Sequence, residues 1–313
     1  MMRHTTGHQN GAIEALVSRI QEFHPRIEAL IERLRVCVAA IEAGLRPGEV
    51  RTSAALWRSE VCLDALIRIR LFIEQNLGYI EPTGLLGVTR YMFELTIWLK
   101  LLEKDAHNAA LYYYELHLDQ LEHYVRWERQ IEREIEFLKG ISQRESGLLK
   151  KRAAERPDIA NASILAGTIS QAIADAVDKI DADAARRFSV YGEQAIKNGY
   201  GLQAHLVETQ DLPRARQSIS AIEEELGKCD EGLRREFKRH RTNWRQKAAD
   251  VGMVDEYDFI YSFTSRILHA TPASLTTDLK NLEPDEIRLL LRYVRVRVLD
   301  AVEFADRLLA GAP

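Results

Sequence analysis

Apolar residues recur at helical spacing along almost the whole chain. Near the start, Ile13, Leu16 and Ile20 fall on one stripe, and a second apolar stripe begins after Pro25. Proline lacks the amide hydrogen of the helical ladder, and its ring clashes with the preceding turn. The pattern therefore predicts helix over residues 12–43 with a kink at Pro25.

Two longer segments differ in polarity. Residues 85–102 are apolar almost all round, and a helix without a polar face belongs in the middle of a bundle. Residues 106–155 are heavily charged and contain no proline. A helical pattern of this length indicates a protruding arm or a coiled-coil partner surface.

The remaining apolar patterns predict further helices, over residues 159–198, 213–242, 256–270 and 284–310. Within the last of these, YVRVRV alternates like a strand, but its flanks keep the helical period. We therefore predict an all-α fold, a multi-helix bundle with one long, charged helical arm.

The same patterns suggest a division of the chain. We expect an N-terminal helical segment over residues 1–50 and a helical bundle domain over residues 51–313. Within the bundle domain, residues 106–200 are predicted to form a protruding helical hairpin arm.

Composition narrows the functional classes. The 313 residues are 46% hydrophobic and 29% charged, which suits a packed core, and a net charge of −4 does not favour bulk nucleic-acid binding. The three cysteines lack paired spacing, which excludes a disulfide framework or a zinc cluster and fits a reducing cytosol. Charges interrupt the longest apolar segment. We expect a cytoplasmic protein with no metal, no cofactor and no membrane partner.

The first candidate site lies in EYDFIYSFTSRILHATP, residues 256–272. Four residues advance a helix by roughly 400°, so Tyr261, Ser265 and His269 share one face. A phenol, a hydroxyl and an imidazole in a row suit phosphate binding or proton transfer. The alternative is a polar seam that holds two helices together.

The second candidate is the pair Arg90 and Glu94, one turn apart on the apolar helix. Burying such charges costs several kcal/mol unless they are paired and hydrogen-bonded. Their location suggests a polar pocket inside the bundle that needs a guanidinium. A buried structural ion pair is the alternative.

The third candidate is a basic run, residues 233–247, with seven Lys or Arg and one acid between Arg234 and Lys247. One helical stripe of this run, beside Trp244, carries Arg234, Lys238, Arg241 and Arg245. A cationic stripe with an aromatic residue can follow a phosphate backbone. The alternative is a solvated face that pairs with acids of residues 106–155.

The C-terminal part of the chain resembles a bacterial family of unknown function, domain of unknown function 5677. Its recurring pattern corresponds here to Trp244, Ala248, Gly252, Tyr257, Tyr261, Ser265 and His269. The Arg90–Glu94 helix resembles the other signature of the family, so the resemblance covers roughly residues 50–275. It implies an all-helical fold in which the Arg90–Glu94 helix packs near the helix of Tyr261.

The family is distantly similar to helical nucleotide-binding and ribonuclease domains of prokaryotic toxin and defence systems. Their catalytic signature is an arginine and a histidine near a helix end, for which Arg266 and His269 are the nearest equivalents. This analogy is associational only.

Two functional hypotheses follow. The first is a helical binding or interaction protein of a bacterial defence or stress-response system, which associates with itself or a partner through residues 106–155. The second is a metal-independent ribonuclease or nucleotide-binding effector. In the second, His269 is the general acid or base, Arg90 and Arg266 hold the phosphate, and Tyr261 and Ser265 orient it. Glu94 would then position Arg90, and the basic stripe would track RNA.

Overall fold

The computed structural model describes residues 7–46, 48–75, 77, 82–155, 178–180, 182–239, 243–268 and 282–311. These residues form helices and connecting turns without a β-strand. The predicted all-α fold is therefore confirmed.

The α-helices in chain order are α1 (Gly7–Gln21), α2 (His24–Gly44), α3 (Ala54–Gln75), α4 (Pro82–Lys104), α5 (His107–Glu155), α6 (Gly192–Asn198), α7 (Tyr200–Leu206), α8 (Leu212–Gly227), α9 (Glu231–Arg239), α10 (Trp244–Asp250), α11 (Val254–Glu256), α12 (Ser262–Leu268) and α13 (Pro284–Ala310). A 3₁₀ turn spans Val50–Thr52, and π-helical turns span Val207–Asp211 and Tyr257–Tyr261. The long charged segment is thus one unbroken helix, α5, as its pattern predicted.

Local sequence signals set several helix ends. Pro25 lies in the first turn of α2, where its missing N–H costs nothing. The hydroxyl of Ser53 accepts a hydrogen bond from the main-chain N–H of Leu56 at 3.2 Å and so caps α3. Glu283 and Glu286 form a reciprocal capping box at the start of α13. YVRVRV lies within α13, as its flanks predicted.

Two helices predicted to be continuous, over residues 159–198 and 213–242, are wrong in their bounds. Among the described residues of the first, 187–191 are not helical, and α6 begins at Gly192. Residues 213–242 were expected to be continuous, but α8 ends at Gly227 and α9 begins at Glu231. The carboxylate of Asp230 accepts hydrogen bonds from the main-chain N–H groups of Gly232, at 2.6 Å, and Leu233, at 3.2 Å. Because this carboxylate satisfies main-chain donors at the start of α9, a new helix begins there.

The chain separates into two compact units, residues 1–115 with 229–313, and residues 116–228. The first unit holds the larger core, to which α1–α4 and α13 contribute apolar side chains. Members with no exposed surface include Ile20, Ile27, Leu66, Leu86, Val294 and Val302. The N-terminal helices α1 and α2 are part of this core.

Helix α4 contributes to two cores of the first unit. One side, which includes Leu86 and Met92, packs into the larger core. Another side packs Phe93, Ile97 and Leu101 against a smaller core supplied mainly by residues 244–260. The nearly all-apolar pattern of this helix follows from its two packed sides.

The second unit has its own core on the C-terminal part of α5. Ile131, Leu138 and Ile141 have no exposed surface and pack with side chains of α6 and α7. Glu134 is also buried, and its carboxylate accepts hydrogen bonds from Ser189 Oγ at 2.6 Å and Gln130 Nε2 at 2.9 Å. These donors compensate the carboxylate for its lost hydration.

Membrane-spanning character is absent from the described helices. None of them is both long enough and apolar enough to cross a bilayer.

Candidate functional site

The candidate site lies where α4 meets the C-terminal segment of the first unit. Phe93 and Ile97 have no exposed surface and pack against Met253 and Ile260. Arg90 lies one turn before this apolar contact. The packing therefore positions the α4 guanidinium beside residues 257–265.

Each nitrogen group of Arg90 binds a different side chain. Nε donates a hydrogen bond to Glu94 Oε1 at 3.0 Å, Nη1 donates to Ser265 Oγ at 3.3 Å, and Nη2 donates to Tyr261 Oη at 2.9 Å. The guanidinium carbon also lies 4.2 Å from the centre of the Tyr261 ring. These contacts fix both the position and the plane of the guanidinium.

Arg90 is not fully buried. The side chains of Arg90 and Glu94 keep 27% and 24% of their exposure, so the ion pair lies at the edge of the bundle and not inside it. The sequence suggested a polar pocket inside the bundle, and this expectation is wrong because the pair is partly exposed. Each terminal nitrogen has a second N–H, and no described residue takes up either of them. Solvent or an anion can therefore reach the group.

The opposing wall is shaped by a π-helical turn, Tyr257–Tyr261. The rings of Tyr257 and Tyr261 stack with centres 4.8 Å apart, and Tyr257 also contacts the ring of Phe93 at 6.3 Å. One turn later, the buried hydroxyl of Thr264 donates to the carbonyl of Ile260 at 2.8 Å. Single π-helical turns are often found at functional sites, and here the turn ends at Tyr261, four residues before Ser265.

The start of this helical segment differs from its prediction. A helix was expected to begin at residue 256, but α11 already begins at Val254, and Met253 at its N-cap makes no side-chain hydrogen bond. Asp255 and Glu256 instead lie in the first turn, where their charge favours the helix dipole.

The site holds its positive charge at any physiological pH. Burial lowers the pKa of Arg90, but the hydrogen bond and charge of Glu94, together with Tyr261, outweigh burial and raise it above its ordinary value. Glu94 thus both orients the guanidinium and neutralises part of its field. The arrangement provides a fixed cation flanked by two hydroxyls, a group that suits a phosphate or carboxylate oxygen.

Several predicted site residues lie outside the described part of the chain. His269 and Arg241 are not among the described residues, and neither are the side chains of Arg266 and Lys238. The other two members of the basic stripe are described. Arg245 forms an exposed ion pair with Asp258 at 3.2 Å, and Arg234 Nε donates to the carbonyl of Cys229 at 3.1 Å.

Lys247 pairs with an acid of residues 106–155, as the alternative interpretation of the basic run predicted, but the sequence did not reveal that the lysine is buried. Its side chain is buried, and its ammonium forms an ion pair with Glu115. The same ammonium lies 4.1 Å from the centre of the Trp98 ring and 5.0 Å from that of Trp244. Periodicity offered one signal, because Lys247 and Trp244 are three residues apart and share a helix face.

A second unpredicted ion-pair network involves Arg297. Its side chain keeps 12% of its exposure and donates to Glu256 at 2.9 Å and to Asp300 at 2.8 Å. Glu256 lies directly before the π-helical turn. The network therefore ties the base of the candidate site to α13.

One group among the described residues has the composition of a metal site. Ligand atoms of His24, Glu28 and Glu74 lie within 4.8 Å of one another. His24 Nε2 already hydrogen-bonds Glu74 at 2.9 Å, and Arg70 lies 3.6 Å from the same carboxylate. Both glutamates are exposed. These contacts are accounted for as surface ion pairs.

Comparison with known proteins finds one family. Residues 164–287 match the sequence model of a Family of unknown function (DUF5677). The matched residues include Tyr261 and Ser265 but not Arg90, so the match is narrower than the resemblance over residues 50–275. No curated protein matches, and no solved structure matches.

Proposed function

We propose that this chain is a helical binding protein of a bacterial defence or stress-response system that recognises a phosphate group of RNA or of a nucleotide through Arg90. The observation that carries the proposal is the fixed guanidinium, held by Glu94, Tyr261 and Ser265 and still partly exposed. The cellular setting rests on the resemblance to toxin and defence domains.

The hydroxyls of Tyr261 and Ser265 strengthen the case for a phosphate. Both accept a hydrogen bond from Arg90, which leaves the hydrogen of each hydroxyl available for donation. A phosphate oxygen beside Arg90 would then receive N–H and O–H donors together. Charge-assisted bonds of this kind are about twice as strong as neutral ones.

Glu94 sets the affinity of the proposed site. Its carboxylate occupies Nε, which leaves the terminal nitrogens for an incoming anion. Its negative charge opposes the same anion. The site is therefore suited to reversible binding and not to permanent capture.

Fluorescence anisotropy with labelled single-stranded RNA and with a labelled nucleoside triphosphate tests the proposal. We expect Arg90→Met to lower the affinity at least tenfold at fixed salt, because it removes the guanidinium that Glu94, Tyr261 and Ser265 hold. The matched control is Arg70→Met. Arg70 likewise precedes a glutamate by four residues and has 26% exposure, close to that of Arg90. Equal losses in both variants would contradict recognition at Arg90.

A metal-independent ribonuclease is the second candidate. It is favoured by the position of Ser265 against Arg90, since His269 follows Ser265 by four residues in the sequence. In this version His269 acts as general acid or base, while Arg90 and Arg266 hold the phosphate. Incubation of RNA with the wild type and with His269→Ala, both in chelator, tests it. The ribonuclease hypothesis is contradicted if the wild type leaves RNA intact, or if the wild type and His269→Ala cut RNA equally.

A protein partner on α5 is part of the same proposal. The helix continues unbroken from His107 to Glu155, with a charged surface suited to pairing with itself or another helix. Light scattering of the full chain measures self-association directly. A monomeric mass at all concentrations would contradict pairing of α5 with a second copy of the chain.

A further inference from the structure

The first unit contains a cavity between α4, the start of α5, α9 and α10. It has a volume of about 440 Å³, within the usual range for small-molecule sites. Its walls are formed by Trp98, Leu101, Asn108, Leu111, Glu115, Glu236, Phe237, Gln246, Lys247 and Asp250. This lining does not include Arg90 or the three side chains that hold it, Glu94, Tyr261 and Ser265.

Lys247 shows how this wall treats an ammonium group. The residue is 5% exposed, so its charge has lost most of its water. The indole faces of Trp98 and Trp244, at 4.1 and 5.0 Å, and the carboxylate of Glu115 replace that water. Cation–π contacts are strongest in such desolvated positions. This wall therefore places two indole faces and a carboxylate around an alkylammonium group.

The remaining charges of the cavity are negative. Lys247 and Glu115 neutralise each other, which leaves the carboxylates of Glu236 and Asp250. Glu236 also hydrogen-bonds His107 at 3.0 Å, and Asp250 accepts from Gln246 Nε2 at 3.4 Å. Neither carboxylate forms an ion pair with a described Lys or Arg side chain, so each can accept a further cation.

Apolar surface lies among these carboxylates. Leu101, Leu111 and Phe237 line the cavity, and the Phe237 ring is held edge-on against Tyr114 at 5.1 Å. Methylene groups bury well against such side chains, at roughly 0.8 kcal/mol each. A ligand that combines positive ends with an aliphatic stem therefore matches the lining.

We propose that this cavity binds an aliphatic diamine or polyamine. Its ammonium groups pair with Glu236 and Asp250, and its methylene chain packs on the apolar wall. An anion is disfavoured because the lining already carries an excess of carboxylates. A purely apolar ligand is disfavoured because it would leave those carboxylates without their water.

Isothermal titration calorimetry of the full chain with 1,4-diaminobutane and spermidine tests the assignment, with butylamine as the single-charge comparison. We expect both polyvalent amines to bind at least tenfold more tightly than butylamine. Glu236→Gln and Asp250→Asn should each weaken diamine binding at least fivefold. Both substitutions keep the side-chain shape, which favours normal folding.

Glu303→Gln is the matched control. Glu303 lines a separate groove between α4 and α13, and its substitution removes the same charge from the protein as Glu236→Gln or Asp250→Asn. It should leave diamine binding unchanged. Equal weakening by all three substitutions would indicate binding to the general negative surface and would overturn the assignment. So would an absence of heat at millimolar amine, or equal affinities for butylamine and diaminobutane.

Discussion

Nη2 of Arg90 lies 2.9 Å from the phenolic oxygen of Tyr261, a residue that follows it by 171 positions in the chain. The contact joins α4 to the π-helical turn that precedes α12. It is one of three hydrogen bonds that the guanidinium donates, and each of the three goes to a different side chain. The side chains of Arg90 and Glu94 keep 27% and 24% of their exposure, so the guanidinium is partly accessible and the ion pair is not fully buried.

The hydrogen bond from Arg90 to Tyr261 should contribute to stability. We expect Tyr261→Phe to lower the free energy of unfolding by about 1 kcal/mol, since the ring and its stacking on Tyr257 remain and only the hydroxyl is lost. Urea unfolding measures the change. Tyr91→Phe, on the exposed part of α4, is the control and should stay within about 0.5 kcal/mol of wild type. A Tyr261 variant as stable as this control would show that the bond is not held in solution.

Phe93 should be the packing residue on which the site depends. Its side chain has no exposed surface and contacts the Tyr257 ring. Phe93→Ala is expected to lower the free energy of unfolding by about 3–5 kcal/mol because it leaves a cavity between α4 and the C-terminal segment. Phe259→Ala, at a residue that is 57% exposed, is the comparison. Similar losses for the two variants would contradict this packing.

Lys247 should stabilise the fold far more than a surface lysine. Lys247→Met removes a desolvated ammonium from two indole faces and leaves Glu115 without its partner, so we expect a loss of about 2–4 kcal/mol in the free energy of unfolding. Lys139→Met breaks the exposed pair with Glu208 and should cost less than about 1 kcal/mol. Denaturant unfolding of both variants gives the comparison. The prediction fails if the Lys139 variant is the less stable one.

The thiol of Cys62 should make stability fall at high pH. Burial raises the pKa of Cys62 from an ordinary value of 9.0 to about 12. The unfolded chain therefore releases this proton first as the pH rises above 9, while the folded chain retains it. The stabilising contribution is complete below pH 9 and is lost as the pH rises toward 12, at up to about 1.4 kcal/mol per pH unit.

Urea unfolding of wild type and Cys62→Ala between pH 8 and 11 checks this titration. The difference between their free energies of unfolding should shrink as the pH rises past 9. A difference that stays constant over this range would show that the thiol is not protected by the fold.

The fold and part of the site could be predicted because their signals are local. The apolar spacing predicted α4 and α13, and Pro25 marked the break between α1 and α2. The four-residue spacing placed Tyr261 and Ser265 on one face, and the structure brings both to Arg90. These features depend on the period of a helix, which the sequence displays directly.

The unpredicted features depend on contacts between distant segments. Lys247 has the sequence context of a solvated basic run, and only the fold brings Glu115 and Trp98 to its ammonium. The partial exposure of Arg90 follows from its place at the edge of an apolar contact, which periodicity does not reveal. The π-helical turn at Tyr257–Tyr261 likewise has no local signature that separates it from an α-helix.

The central claim is that Arg90 is an anion-binding cation restrained by the carboxylate of Glu94. Glu94→Gln tests this claim most directly. Glutamine keeps an oxygen that can accept the bond from Arg90 Nε, but it removes the opposing negative charge. We predict that Glu94→Gln binds RNA about tenfold more tightly than wild type in anisotropy measurements at fixed salt, a gain of about 1.4 kcal/mol in binding free energy. Binding weaker than wild type, with circular dichroism unchanged, would contradict the account, because the pair would then serve packing alone.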